Sequence, residues 1–267
     1  MRWIMCFSFL LFQFYTEAQS IYTVLRSTDE TPNKGRFKVI EESKAFYLVS
    51  GIKRESRVSK YNENQQLLVE KRYDKQGDLI VELIFGYDRG LKVNRKYSVK
   101  IAGDFSTEFN AYIYSEQNHL IGIVYYDSDS VVTRQAALVN NENGHPIQLS
   151  QFRGEVLMGI EEARYDYSNN RVFVRVLNKS GDLISEVDYP IDLKVKNPMF
   201  TYDEIGNLIA SPRNFNKTDE KYYFRKYKYD DNGNWTTMTI YVADKRGDKY
   251  VNLAKDRVFK RKITYYE

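Results

Sequence analysis

The run Lys228-Tyr229-Asp230-Asp231-Asn232-Gly233-Asn234-Trp235 constrains this chain more than any other stretch, because it writes a tight reversal between two aromatic strand ends. Further copies are Lys60 to Leu67, Arg72 to Leu79, Leu177 to Leu183 and Thr201 to Leu208. In Tyr-Asp-x-x-Gly-Asn the Asp carboxylate accepts backbone N–H bonds from further round the bend, which is why Asp or Asn opens type I turns. The glycine then takes a left-handed conformation that a Cβ would resist, giving the common hairpin connection with a bulge. Each unit is a hairpin, and hairpins in series make a β-meander.

The first residues follow different rules. Arg2 supplies a positive end, Ile4 to Phe14 is an apolar run broken by Ser8 and Gln13, and Thr16-Glu17-Ala18 places small residues at a cleavage position. Residues 1–18 are therefore expected to be a signal peptide cut between Ala18 and Gln19. The apolar run is shorter than the ~20 residues that span a bilayer, so no transmembrane helix is expected in the mature chain. The only cysteine, Cys6, sits inside that run. Export would leave a cysteine-free protein, with neither disulfides nor thiol chemistry available. The expected location is exported: periplasm, cell surface or extracellular.

Beyond the leader, 19–56 reads as N-terminal strands and a loop, with strand-like pieces at Ile21 to Leu25 and Phe37 to Val39. A repeat sheet is expected over 57–197, where Tyr61, Tyr73, Tyr87 and Tyr97 recur at one strand plus one turn. Strand-like runs continue at Phe109 to Tyr114, Leu120 to Tyr126 and Val131 to Val139. Pro146 after the Asn140 to His145 turn suggests an edge or a strand start. Arg171 to Leu177 alternates Val172, Val174 and Val176 with Arg171, Phe173, Arg175 and Leu177, and both faces read as partly wet. Glu161 to Tyr165 is the one brief helix candidate. Three prolines make Tyr189 to Asn216 the most irregular part, and hairpins resume over 198–267. The fold class expected is all-β: an antiparallel meander of repeated hairpins forming one large curved or partly wrapped sheet.

The Tyr-Asp-x-x-Gly-Asn units at Tyr202 to Asn207 and Tyr229 to Asn234, with looser ones at Tyr73 and Leu177, resemble the YD repeats of the RHS family. With the closing Arg261-Lys262-Ile263-Thr264-Tyr265-Tyr266, the chain is similar to small secreted YD-repeat proteins of Bacteroidetes type. The resemblance covers most of the mature chain and implies extended β-sheet, which in large members wraps into a shell around a toxin domain. No Asp-Pro dipeptide is present, whereas the self-cleavage core of those members contains one, and no toxin segment is expected after the repeats. Shell formation and toxin delivery are not implied here.

The candidates for chemistry are few. His119 and His145 both flank turns and read as polar turn residues. Asp127 and Asp129 offer oxygens to a cation but too few for calcium, which takes about six to eight. The 40 basic residues barely exceed the 36 acidic ones, and they are spread along the chain rather than gathered into a nucleic-acid footprint. No nucleic acid, metal or cofactor is expected, and no catalytic residue is identified. Tyr223, Tyr227, Tyr229 and Trp235 would share one face of the last hairpins, as core or as a binding face for an envelope glycan or protein. The function expected is a non-catalytic, secreted or envelope-associated binding or scaffolding module. The alternatives are an outer-membrane β-barrel and an enzyme with converging carboxylates.

Overall fold

A computed structural model describes residues 20–26, 34–192, 195–196, 200–213 and 221–267. The expected leader and its cleavage point at Ala18 and Gln19 lie outside these residues. The described chain holds one short helix, α1 (Ile21–Arg26), and strands β1 (Phe37–Leu48), β2 (Gly51–Tyr61), β3 (Leu67–Tyr73), β4 (Leu79–Asp88), β5 (Leu91–Ile101) and β6 (Asp104–Tyr114). There follow β7 (Leu120–Tyr126), β8 (Val132–Asn140), β9 (Pro146–Arg153), β10 (Val156–Asp166), β11 (Arg171–Asn178) and β12 (Leu183–Pro190). The last are β13 (Thr201–Tyr202), β14 (Leu208–Pro212), β15 (Lys221–Tyr229), β16 (Trp235–Arg246) and β17 (Lys249–Tyr265).

The turns form as their chemistry requires. Asp230 Oδ1 accepts the N–H of Asn232 at 3.1 Å and of Asn234 at 2.9 Å, and Gly233 N–H donates to the Asp230 carbonyl at 3.0 Å. Gly233 has φ 75°, the left-handed conformation expected of it. The same reversal recurs at Asn62, Asp74, Ser115, Asp127, Asn141, Asn178 and Asp203. At three of these the left-handed residue is Gln65, Asn118 or Ser130 instead of glycine, so the geometry extends beyond the copies that the sequence motif marks.

All seventeen strands join one antiparallel sheet. Consecutive strands pair from β1 through β12 and from β13 through β17, and β17 also pairs with β1. The terminal strands therefore lie side by side in the interior, and the two edges, β12 and β13, come from the middle of the chain. Among the described residues the strands number seventeen and alternate in direction, which leaves both edge strands running the same way, so antiparallel pairing does not join them. It stays open. β13, at two residues, is little more than a stub.

The core lies on one face. Tyr112, Ile123, Tyr125, Ala136, Leu138, Leu149, Val172 and Val174 pack there with Ile21 of α1. Ile21, Val24 and Leu25 fall at helical spacing and all meet this cluster. That corrects the strand expected at Ile21 to Leu25: its apolar residues follow a 3.6 period over too short a run to declare itself. Ser20 caps the helix, its Oγ accepting Thr23 N–H at 3.2 Å while Thr23 Oγ1 accepts Ser20 N–H at 2.7 Å. The helix candidate at Glu161 to Tyr165 is a correction of the opposite kind, since those residues lie in β10 between β9 and β11. A third concerns β11, where Val172 and Val174 are buried rather than wet. Pro146 does begin a strand, one flanked on both sides.

Candidate functional site

The two strict units are tied together by their tyrosines at one rim of the sheet. Tyr229 O–H donates to Asp203 Oδ2 at 2.9 Å and accepts Asn207 Nδ2–H at 2.8 Å, so it staples the preceding turn. Tyr265 does the same one unit on, reaching Asp230 Oδ2 at 2.6 Å and accepting from Asn234 at 2.8 Å. Each letter of Tyr-Asp-x-x-Gly-Asn thus has a task. The Tyr clamps the previous turn, the Asp opens its own, the Gly supplies the left-handed residue, and the Asn side chain meets the next Tyr. A second set of tyrosines bonds backbone carbonyls at strand starts: Tyr87 to Leu67, Tyr114 to Lys92, Tyr165 to Pro146 and Tyr227 to Leu208, between 2.8 and 3.0 Å. Burial and the Asp203 carboxylate push the Tyr229 phenol up to about 12. Burial opposes ionisation of Asp203, but bonds from Asn207 and Tyr229 win and hold its carboxyl below the usual range.

The aromatic row singled out in the sequence is thereby located. Tyr227 and Tyr229 stack with ring centroids 5.9 Å apart, and Tyr229 is the most open of the four at 38% exposure. Tyr223 lies under the Arg257 guanidinium at 5.2 Å, and Trp235 lies under that of Arg261 at 3.5 Å. Tyr223, Tyr227 and Trp235 are half-buried. The phenols of Tyr227 and Tyr229 are thus engaged within the sheet, while the rings stay partly open. The basic run Lys221 to Lys228 divides as alternation requires: Lys221, Lys226 and Lys228 are exposed, and Arg225 turns inward.

Arginines share this face, and the sequence reading missed them. Arg261, Glu42, Arg57 and Arg72 are direct cross-strand neighbours over β17, β1, β2 and β3. Register carries the same face from Arg72 through Val81 and Val99 to β5, and from Arg95 through Asn110 to Tyr125 of the apolar cluster. Glu42, buried to 4% exposure, accepts from Arg261 at 2.9 Å and Arg57 at 3.2 Å, with Lys44 at 3.3 Å. Buried Glu70 accepts from Arg72 at 2.6 Å and Arg57 at 3.3 Å. Burial alone would raise the Glu42 carboxyl, but Arg57 and Arg261 hold it below the usual value. Charges this deep persist only when paired. One signal for this row was present in the sequence, since Arg225 alternates between Tyr223 and Tyr227. Its meeting with Arg257 depends on long-range pairing.

The other candidates resolve into turns. Asp127 Oδ1 is occupied by the N–H groups of Asp129 at 3.0 Å and Val131 at 2.9 Å. His145 Nδ1 lies 3.0 Å from the Tyr167 hydroxyl, its ring stacks on Tyr165, and burial lowers its pKa. His119 packs against Gly144, where an added Cβ would come within 2.7 Å of Nε2. Among the described residues no group of three or more His, Cys, Asp or Glu side chains is arranged to hold a metal ion. None of the helices among them is long and apolar enough to cross a membrane.

No family model matches the chain, and no curated protein matches it. Among solved structures it is similar to a porin-like protein from Bacteroides uniformis, at 10% identity and TM-score 0.41 over 86% of this chain and 99% of that one. It is also similar to the Photorhabdus luminescens Tc holotoxin pore, at 10% identity and TM-score 0.25 over 81% of this chain and 16% of that one. An outer membrane lipoprotein-sorting protein domain from Vibrio parahaemolyticus aligns at 10% identity and TM-score 0.20, over 91% and 90%. None reaches 0.5, and no conclusion about function follows from them.

Proposed function

We propose that the protein is a non-catalytic binding or scaffolding sheet of the YD-repeat kind, working in the cell envelope or outside the cell. The observation that carries the binding reading is the file of half-open aromatic rings and guanidinium groups on one face: Tyr223, Arg225, Tyr227, Trp235 and Arg257. Flat rings beside charged donors suit a glycan or an extended peptide. The scaffold beneath is stiffened by the tyrosine staples, which limits the ordering cost on binding. Export rests on the leader read from the sequence, and α1 opens at Ile21, three residues past the expected cleavage point, giving the processed chain an anchored start. The YD-repeat kinship draws support from the matching turns at Asp203 and Asp230 and their identical clamps. An outer-membrane barrel fits this sheet less well, because two edges remain open where a spanning barrel needs closure.

The test is retention of the purified protein on fractionated envelope material, comparing wild type with Tyr223→Ala and Trp235→Ala. The reading expects native-like melting with lost retention on one glycan or protein fraction. Retention that survives both substitutions, or that wild type never shows, would sink it.

A further inference from the structure

Arg225 stands apart from the other inward-facing arginines. Its Nη1 donates to Ser211 Oγ at 3.2 Å and to the Tyr223 carbonyl at 3.3 Å, both neutral groups, and among the described residues no carboxylate pairs with it. Directly across Ile240 lies Arg257, two strand spacings or about 10 Å away at the backbone, on the same face. Arg257 has one carboxylate, that of Asp256, at 2.5 Å. Asp256 is the extra residue of a bulge in β17, since Ile240 pairs with Arg257 and Tyr241 already pairs with Lys255. Two half-buried guanidiniums thus share one face, and the Asp256 carboxylate is bonded to Arg257. Burial disfavours the charge of Arg225, and the Arg257 guanidinium disfavours it further. A buried cation without a counter-ion is costly, and a guanidinium with free N–H groups in a planar fork matches an oxyanion.

Further along β17 the same excess recurs. Arg261, its side chain only 9% exposed, spends Nε on Glu42, while its Nη1 is buried without a hydrogen-bond partner. The two positions are four residues apart on one strand, about 13 Å.

We propose that Arg225 and Arg257, with the Ser211 hydroxyl, form an oxyanion site of the sulfate or phosphate class, and that Arg261 extends it for a ligand carrying several such groups. This deepens the binding reading above by naming what the face recognises. Arg225 supplies the unpaired charge, Arg257 bounds the site from β17, and Ser211 fixes the Arg225 fork. The rings of Tyr223 and Trp235 back the arginines, so a polyanionic chain laid along the file would meet alternating charge and flat apolar surface.

Isothermal titration of the purified protein with sodium sulfate and, separately, sodium phosphate, at ionic strength held constant with chloride, tests the inner pair. We expect saturable binding of at least one ion, weakened about tenfold or more by Arg225→Gln and by Arg257→Gln, as for loss of a charge-assisted contact. Arg153→Gln, at an exposed arginine ending β9, should change nothing. Arg225→Gln removes no ion pair, so it should melt like wild type and remain interpretable if the Arg257 variant does not fold. Dextran sulfate then separates the sources. Tighter binding than inorganic sulfate, reduced by Arg261→Met, supports a polyanionic chain, whereas equal binding restricts the site to a free ion and removes Arg261 from it. Absence of saturable binding to all three probes, or an equal loss in Arg153→Gln, would overturn the proposal. Envelope retention that Arg225→Gln leaves untouched would remove this site while leaving the broader binding reading intact.

Discussion

Gly233 shows how much a single residue can decide. Its φ of 75° lies where an L side chain pays a steric penalty, and an added Cβ would meet only the flexible end of Lys34. The cost of substitution is therefore conformational. Gly233→Val should destabilise by more than about 1–2 kcal/mol, the penalty for a left-handed conformation made worse by β-branching, and Gly233→Asn by less. Equal denaturation midpoints for the two variants would contradict the turn geometry. At this scale the sequence was legible, because the Asp-to-glycine chemistry acts within five residues. The tyrosines beside those turns were not. Tyr229 reads locally as a strand residue, yet its hydroxyl belongs to the turn at Asp203, 26 positions earlier. Only the recurrence of Tyr next to Asp in successive units hinted that one unit clamps another.

At the scale of elements, the sheet announced itself and the helix did not. Strands from β2 to β11 carry alternation and turn signals that local rules detect, whereas α1 is six residues long, below the length at which a period can be told from an apolar run. Its placement depends on partners far away: Ile21 N–H donates to Glu161 Oε2 at 2.8 Å, across 140 residues. Burial raises the Glu161 carboxyl above its ordinary 4.5, outweighing that bond. An acid whose folded pKa is raised favours folding most when protonated, so this contribution is complete below 4.5 and is lost as pH rises through the folded value. Glu161→Gln keeps an acceptor for Ile21 and removes the charge. The variant should match wild type in acid and exceed it at neutral pH in chemical denaturation. A lower stability at neutral pH would show that the carboxylate is needed to hold α1.

At the scale of the molecule, strand order was the least legible property. Hairpins fix neighbours along the chain, but nothing local says that β17 returns to β1, with Glu42 bonded to Arg261 across 219 positions. Nor could alternation show that the arginines of β15 and β17 share a face with the apolar cluster, since that needs the register of every intervening strand. The ion pairs at Glu42 join β17, β1 and β2, so the terminal strand is an interior support. Removing Lys249–Glu267 should therefore expose two new edges and leave Glu42 short of a partner. We expect loss of the cooperative unfolding transition and association into larger species, measured by calorimetry and light scattering. A truncated chain that stays monomeric with a wild-type transition would disprove the strand order.

The meeting of β1 with β17 also sets a schedule. Synthesis delivers β1 among the first strands and β17 last, so β1 can pair on one side with β2 at once but must wait for nearly the whole chain before its other side is covered. Contacts that close so large a loop form slowly. For that interval the growing sheet carries a bare strand whose row of unpaired amides and carbonyls can template on another molecule. The charges along β1, Glu41, Glu42 and Lys44, disfavour such capture before the proper partner arrives. In the finished sheet Glu42 is shared between Arg57, which arrives with β2, and Arg261, which β17 brings. The residue that joins the two ends is thus also a guard during the time they are apart.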